Sequence, residues 1–183
     1  GVAASTDLHT AQTCSTSYAN ISTNSSFPST PTEVNLGTIT SSGNTYAAQK
    51  MTITSNTASG YVLSATSSGF LLNPPTGQYI VNAQGNVTAN DTPVPAVIST
   101  GGTGGYGINA CDANSRVNTT TWGQATPKFA NPSPSFYYTL VNYVGSLSTS
   151  GDAIYSVYGA RAGNTTPPGD YWQIITYTAT VTF

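Results

Sequence analysis

Side chains that could perform acid–base or nucleophilic chemistry are scarce in this chain. Its single histidine, His9, lies near the leading end. A Ser–His–acid arrangement needs that imidazole held rigidly beside a nucleophile, and a leading segment is a poor support for it. The Gly-x-Ser-x-Gly motif that presents a nucleophilic serine does not occur. The sequence therefore predicts no hydrolase of this type.

Carboxylates are spread thinly along the chain, at Asp7, Glu33, Asp91, Asp112, Asp152 and Asp170. They form neither a calcium loop nor another local motif, and a pair brought together by folding is the alternative. The last three lie in or next to turns, where Asp caps backbone N–H groups. The glycine run Gly101–Gly107 lacks the residues of a phosphate-binding loop. We predict no catalytic residue, no metal site, no cofactor and no enzymatic activity.

Asparagine sequons are the positive chemical signal. The Asn-x-Ser/Thr pattern accepts an N-linked glycan. It occurs at Asn20, Asn24, Asn86, Asn90, Asn118 and Asn164. Several such patterns arise by chance in a chain rich in Asn, Ser and Thr. Together they predict a glycan coat that supplies solubility to an exported protein.

The charge content indicates a protein of the cell exterior. Only 5% of the 183 residues are Asp, Glu, Lys or Arg, where about 25% is usual. Few ionisable groups link few protons to folding, so stability is expected to vary little with pH. The net charge of −2 argues against a nucleic-acid partner. No apolar run reaches the roughly 18 residues of a membrane span, and Gly1-Val-Ala-Ala is typical of a mature chain after signal cleavage.

The two cysteines, Cys14 and Cys111, lie far apart in sequence and lack metal-ligand spacing. In an exported chain they predict one disulfide, which would stabilise the fold by about 4–5 kcal/mol in the chain-entropy model. Two unrelated buried thiols are the alternative.

Hydrophobic periodicity predicts an all-β fold. At the end of the chain a half-buried strand is predicted, because five residues alternate with four threonines: Ile175, Tyr177, Ala179, Val181 and Phe183. Short apolar stretches between turn residues predict further strands at 33–40, 46–55, 61–67, 79–83, 94–99, 106–111, 135–144 and 154–162. Short strands at this spacing predict a single antiparallel β-sandwich or barrel over residues 14–183.

Residues 1–13 precede the first cysteine as a separate arm. Val2, Ala4, Thr6 and Leu8 alternate with other residues in a faint strand pattern. As a strand this segment is too weak to bury much surface by itself. It is either a frayed terminus or a strand that pairs with another molecule.

Several of these patterns resemble a known group of exported proteins. Pro168-Gly-Asp-Tyr171, followed by the alternating end, resembles the closing hairpin of archaic chaperone–usher pilins and spore-coat-U-type subunits. Gly105–Arg116 resembles their mid-chain segment. Val34–Ile39 and Thr52–Tyr61 are similar to segments of prokaryotic surface β-sandwich proteins. The low charge and dense sequons resemble archaeal thread-type pilins.

The resemblance implies an incomplete immunoglobulin-like β-sandwich that a donor strand from a neighbouring copy completes. The arm would fill a groove between two strands by β-augmentation, with Val2, Ala4, Thr6 and Leu8 inserted. A disulfide would tie the first strand to the body. Identical subunits joined head to tail would then form an open filament.

We therefore expect the structural subunit of an extracellular filament, a pilus or thread at the cell surface. The alternative is a monomeric or wall-attached surface module, such as an adhesin or an S-layer piece. A leading segment folded back onto its own body would overturn the filament in favour of this surface module. The 12 tyrosines allow a carbohydrate ligand in either case, and threonine rows also occur on ice-binding surfaces.

Overall fold

A computed structural model describes the backbone of residues 2–5 and all of residues 29–55, 58–83, 98, 102–112, 116–117, 122, 128–135, 137–147 and 150–182. Nine strands lie in these ranges, and every pairing between them is antiparallel. The strands are β1 (Val2–Ser5), β2 (Thr45–Ile53), β3 (Tyr61–Ser67), β4 (Leu71–Asn73), β5 (Gln78–Ile80), β6 (Gly105–Asp112), β7 (Tyr138–Tyr143), β8 (Asp152–Arg161) and β9 (Ile175–Val181).

The strands form two sheets that share one core. One sheet has the order β1-β2-β8-β6 and the other β7-β3-β9, while β4 and β5 form a separate hairpin. A single buried cluster includes Met51 and Ile154 from the first sheet and Leu63 and Val141 from the second. The prediction of an all-β, sandwich-like antiparallel fold is confirmed.

Alternation of side chains explains why β3 forms and what it buries. Tyr61, Leu63, Ala65 and Ser67 are buried, and the residues between them are half-exposed. Strand side chains point alternately to the two faces, so one face of β3 enters the core. Burying a large apolar side chain contributes about 1.5–3 kcal/mol, which makes this face a main source of stability.

One flank of the sandwich is closed by short segments. All of β6 is buried. At its outer edge, Ala130 bridges Ile108 with N–H···O bonds of 2.9 and 3.0 Å. In the second sheet, Val117 bridges Val141 of β7. The outermost strands at this flank are therefore partly capped.

Two stretches differ from the strand predictions. Residues 33–40 form no strand, because Gly37 adopts a φ of 68° and reverses the alternation. Val34 and Leu36, at even positions, pack against the core, and so does Ile39 at an odd position. The hairpin of β4 and β5 was predicted only in part, as a strand at 79–83. Of the predicted strand 94–99, only residue 98 lies within the described residues.

The leading strand lies at the edge of the first sheet within its own chain. β1 pairs with β2, from Val2 opposite Ile53 to Ser5 opposite Lys50. Its only strand neighbour in the described part of the chain is β2. The resemblance implies an arm inserted between two strands of another copy, whereas this arm flanks one strand of its own copy. This pairing favours the surface-module alternative.

Replacing Gly60 by alanine is expected to lower the free energy of unfolding by about 3 kcal/mol. Gly60 has a φ of 96°, and an added Cβ would lie 1.9 Å from the carbonyl oxygen of Tyr143. The matched control is Gly43→Ala, because a Cβ at Gly43 meets nothing within 4 Å. Urea unfolding of both variants measures the difference, and equal midpoints would contradict this close approach of β3 to β7.

Candidate functional site

The last strand leaves one of its edges open. β9 pairs with β3 along one edge, from Val181 opposite Tyr61 to Ile175 opposite Ser67. Among the described residues, no strand pairs with its other edge. Unpaired N–H and C=O groups along an edge are a template for a further strand.

The side chains of β9 alternate across the sheet. Ile175, Tyr177 and Ala179 are half-buried against the core, and the threonines between them are exposed. Val181 is exposed, and Phe183 lies outside the described residues. One face of the open-edged strand is therefore apolar and directed inward.

A groove of about 1220 Å³ lies beside β9, and we call it the edge groove. Residues 31–39, residues 166–173 and the first part of β9 line it. Its remaining lining residues include Gln49, Met51, Leu71, Ile80, Tyr106 and Tyr158. Glu33 and Asp170 are the only charged residues in this lining. The groove suits an uncharged chain segment with apolar side chains.

A line of hydrogen bonds joins the strands around the edge groove. The hydroxyl groups of Tyr158 and Tyr177 lie 2.9 Å apart, which links β8 to β9. Tyr158 also donates to Gln49 Oε1 of β2 at 3.3 Å. Gln49 Nε2 in turn donates to the carbonyl oxygens of Thr30 and Pro31 at 2.8 and 2.9 Å. These contacts fix the groove side chains and the start of the 31–39 segment.

Burial shifts the ionisation of the groove tyrosines. Desolvation raises the pKa of Tyr177 to about 12, although its hydrogen bond with Tyr158 opposes the rise. Desolvation, followed by the nearby Tyr177, raises the pKa of Tyr158 well above 10. Both phenols are therefore neutral hydrogen-bonding groups at physiological pH.

The outer edge of β2 is paired over only part of its length. β1 covers Lys50–Ile53, and no strand among the described residues covers Thr45–Gln49 on that side. Gln49 and Met51 line the edge groove. The half-paired edge of β2 and the open edge of β9 thus lie at the same groove.

Two buried carboxylates lie near Arg116, which follows β6. Asp112 is the last residue of β6 and Asp152 is the first residue of β8. Asp112 accepts the backbone N–H groups of Arg116 and Val117 at 2.5 and 3.4 Å, which confirms its predicted turn-capping role. Asp152 Oδ2 accepts hydrogen bonds from Tyr61 Oη at 3.2 Å and from Arg116 Nε at 3.1 Å. The sequence did not predict this second arrangement. Both carboxylates are engaged in bonds that hold the fold.

The arginine of this cluster also stacks on an aromatic ring. The guanidinium carbon of Arg116 lies 3.7 Å from the ring centroid of Tyr143. Burial, and then the Asp152 charge, raise the pKa of Tyr61. We name Tyr61, Arg116, Tyr143 and Asp152 the Asp152 cluster.

The remaining predicted site residues are only partly described. Cys111 is buried in β6 and Asn164 is exposed in a turn. Cys14, Asn20, Asn24, Asn86, Asn90, Asn118, Thr6, Leu8 and His9 lie outside the described residues. The disulfide and the glycan coat stay predictions.

Comparison with known proteins gives no relative. No protein-family model matches the chain, and neither do curated proteins or solved structures. In the described ranges, no three His, Cys, Asp or Glu side chains are grouped where a metal ion could bind. The described residues also include no helix with the length and apolar character to cross a membrane.

Proposed function

We propose that this protein is the structural subunit of an extracellular filament, an incomplete immunoglobulin-like sandwich completed by the leading strand of a neighbouring copy. The observation that carries the proposal is the unfinished side of the sandwich. There, the open edge of β9 and the half-paired edge of β2 flank a groove whose lining is uncharged except for Glu33 and Asp170. Main-chain bonds to such edges give affinity, and alternate side chains give the register.

The pairing of β1 supports the choice of inserted residues. Val2 and Ala4 are register partners of Ile53 and Met51, both buried residues of β2. Continued in the same register, a neighbour's strand would place Thr6 and Leu8 opposite two further buried residues, Gln49 and Ala47. This longer strand would cover the part of β2 that β1 leaves unpaired. The four residues proposed from the sequence, at positions 2, 4, 6 and 8, would therefore all lie opposite residues of the buried face of β2.

Exchange between copies is compatible with a β1 that pairs within its chain. The same contacts form when β1 of one copy takes that place on the next copy, and such swapping is a low-cost route to assembly. A head-to-tail exchange that does not close generates an open filament. The low charge, the predicted disulfide and the predicted glycans suit a filament outside the cell.

The second candidate is a monomeric or wall-attached surface module, such as an adhesin. The specific observation in its favour is β1 paired with β2 of the same chain. In such a module the arm completes its own sheet, and the edge groove is a surface feature.

Deleting residues 1–13 is expected to abolish fibres and leave a monomeric, less stable body. The missing strand removes both the donor and the β1–β2 pairing. Electron microscopy and sedimentation of the intact and shortened proteins measure this outcome. A synthetic 1–13 peptide should bind the shortened protein. Leu8→Asp in that peptide should abolish binding, whereas His9→Asp, of opposite parity, is the matched control.

Cross-linking distinguishes the two candidates. Ala3 and Thr52 are register partners, so an Ala3→Cys, Thr52→Cys variant can form a disulfide across the pair. Bonds between chains produce a ladder on a non-reducing gel and support the filament. A product bonded only within single chains, together with particles instead of fibres, supports the surface module and overturns the filament.

A further inference from the structure

The hairpin of β4 and β5 has an apolar face on each side. On the inner side, Leu71 and Ile80 pack with Tyr106 and Ala160 in a second buried cluster. The outer side presents a set that we name the aromatic platform, in which Leu72 is half-buried and the other five residues are exposed: Phe70, Leu72, Tyr79, Val81, Trp172 and Ile174. The inner face explains the stability of the hairpin. Of the outer face, only Trp172 also lines the edge groove.

Backbone pairing holds the aromatic platform in place. Leu72 is the register partner of Tyr79 on one side and of Trp172 on the other, so the three residues form a row across the strands. Leu72 and Trp172 exchange two backbone bonds of 3.1 and 2.9 Å. Neighbouring strands are about 4.8 Å apart, so the row spans about 10 Å. Strand pairing therefore fixes the backbone positions from which the platform side chains project.

The three aromatic side chains of the platform are about half exposed, and two of them lie against each other. Phe70, Tyr79 and Trp172 are 46%, 47% and 55% exposed. Phe70 and Tyr79 stack at a centroid distance of 4.4 Å and an interplanar angle of 19°. Contiguous exposed apolar surface on a soluble protein marks an interaction site.

The charge around the platform restricts what can bind there. Residues 67–83 contain no Asp, Glu, Lys, Arg or His, and Asp170 is the only such residue in 169–176. Anionic polymers and acidic lipid surfaces need basic side chains, which are missing from these segments. A neutral ligand matches this surface.

We propose that the aromatic platform binds neutral carbohydrate. Sugar rings present apolar C–H faces that can pack on Phe70, Tyr79 and Trp172, and hydroxyl groups that can form hydrogen bonds. The Tyr79 hydroxyl and the Trp172 indole N–H, both on exposed side chains of the platform, supply the polar groups. Aromatic side chains with a polar group close by are suited to ligands that are apolar on one face and wet on the other. The site requires neither the filament nor the surface module.

Tryptophan fluorescence gives a direct test, since the chain has two tryptophans, of which Trp122 is buried and Trp172 is exposed. An array of neutral oligosaccharides identifies bound sugars, and titration with them should shift the Trp172 emission to shorter wavelength. Iodide quenching of Trp172 should fall in parallel. No binding to any neutral sugar on the array overturns the proposal.

Substitutions test whether the sugar binds at the platform. Trp172→Ala and Tyr79→Ala should each weaken binding at least about tenfold, as for an aromatic contact at the centre of an interface. Val144→Ala is the control, because Val144 is exposed beyond the end of β7. Equal binding by all three variants overturns the assignment. If the platform variants abolish self-association and leave sugar binding unchanged, a second copy is the occupant and the proposal is wrong.

Discussion

Raising the pH from 10 to 12 is expected to unfold the protein. Burial raises the pKa of five tyrosines: Tyr61, Tyr106, Tyr138, Tyr158 and Tyr177. For Tyr138 and Tyr177 the pKa rises to about 12, while an unfolded chain releases the same protons near pH 10. Between these values the unfolded state loses protons that the native state retains, so the free energy of unfolding falls.

The size of this effect follows from the shift of one buried phenol. A rise of two pKa units for Tyr138 corresponds to about 3 kcal/mol, fully present below pH 10 and lost by pH 12. Five such groups together reach the total stability of a typical domain. The expectation that stability varies little with pH is therefore corrected on the alkaline side. Circular dichroism during urea unfolding at successive pH values measures the decline.

Tyr138→Phe is expected to move the alkaline midpoint upward and to preserve stability at neutral pH. The Tyr138 hydroxyl is buried and has no hydrogen-bond partner among the described residues, so its removal leaves no group unpaired. Tyr137→Phe is the matched control, because that neighbouring ring is exposed. An unchanged midpoint in Tyr138→Phe would show that its burial does not drive the transition.

Asp152→Ala is expected to lower the free energy of unfolding by about 3–5 kcal/mol. The change removes the acceptor shared by Tyr61 Oη and Arg116 Nε. It leaves the Tyr61 hydroxyl buried without that acceptor and the Arg116 charge without its carboxylate. Denaturant unfolding at neutral pH measures the loss.

The control for this prediction is Asp170→Ala. Asp170 is exposed, and a surface substitution of this kind changes stability by about 0.5 kcal/mol or less. A double-mutant cycle with Tyr61→Phe should give a coupling energy of about 1 kcal/mol or more, because the two side chains share a hydrogen bond. Similar losses for Asp152→Ala and Asp170→Ala would mean that the Asp152 cluster contributes nothing.

Periodic segments were predictable from the sequence because their burial has a simple period. β3 and β9 each bury one face of an alternating pattern. The 33–40 segment has similar composition, but the left-handed backbone at Gly37 changes which residues point inward. The Gly37 N–H donates to Asn35 Oδ1 at 2.7 Å in a local turn, which the alternation of apolar residues does not reveal. Sequence reasoning therefore succeeded where the alternation continues without such a turn.

Features made by distant segments could not be predicted in the same way. Tyr61 and Asp152 are 91 positions apart and meet only when β3 packs against β8. The edge groove needs the relative placement of β2, β9 and residues 31–39. The aromatic platform needs the pairing of Leu72 with Trp172. The one sequence signal for the platform was that apolar residues occur at both odd and even positions of the hairpin. A single buried face would need them at only one of the two.

The capped flank at β6 and β7 has a consequence for how copies could associate. Ala130 and Val117 occupy sheet edges there. On the opposite flank, in the part of the chain that the structure describes, no strand pairs with the outer edge of β9 or with the outer edge of β2 over Thr45–Gln49. A molecule with one receptive side and one leading strand would contact two neighbours, one through each. Its polymers would grow as unbranched lines with a fixed polarity, and lateral fusion into thicker β-aggregates would be suppressed.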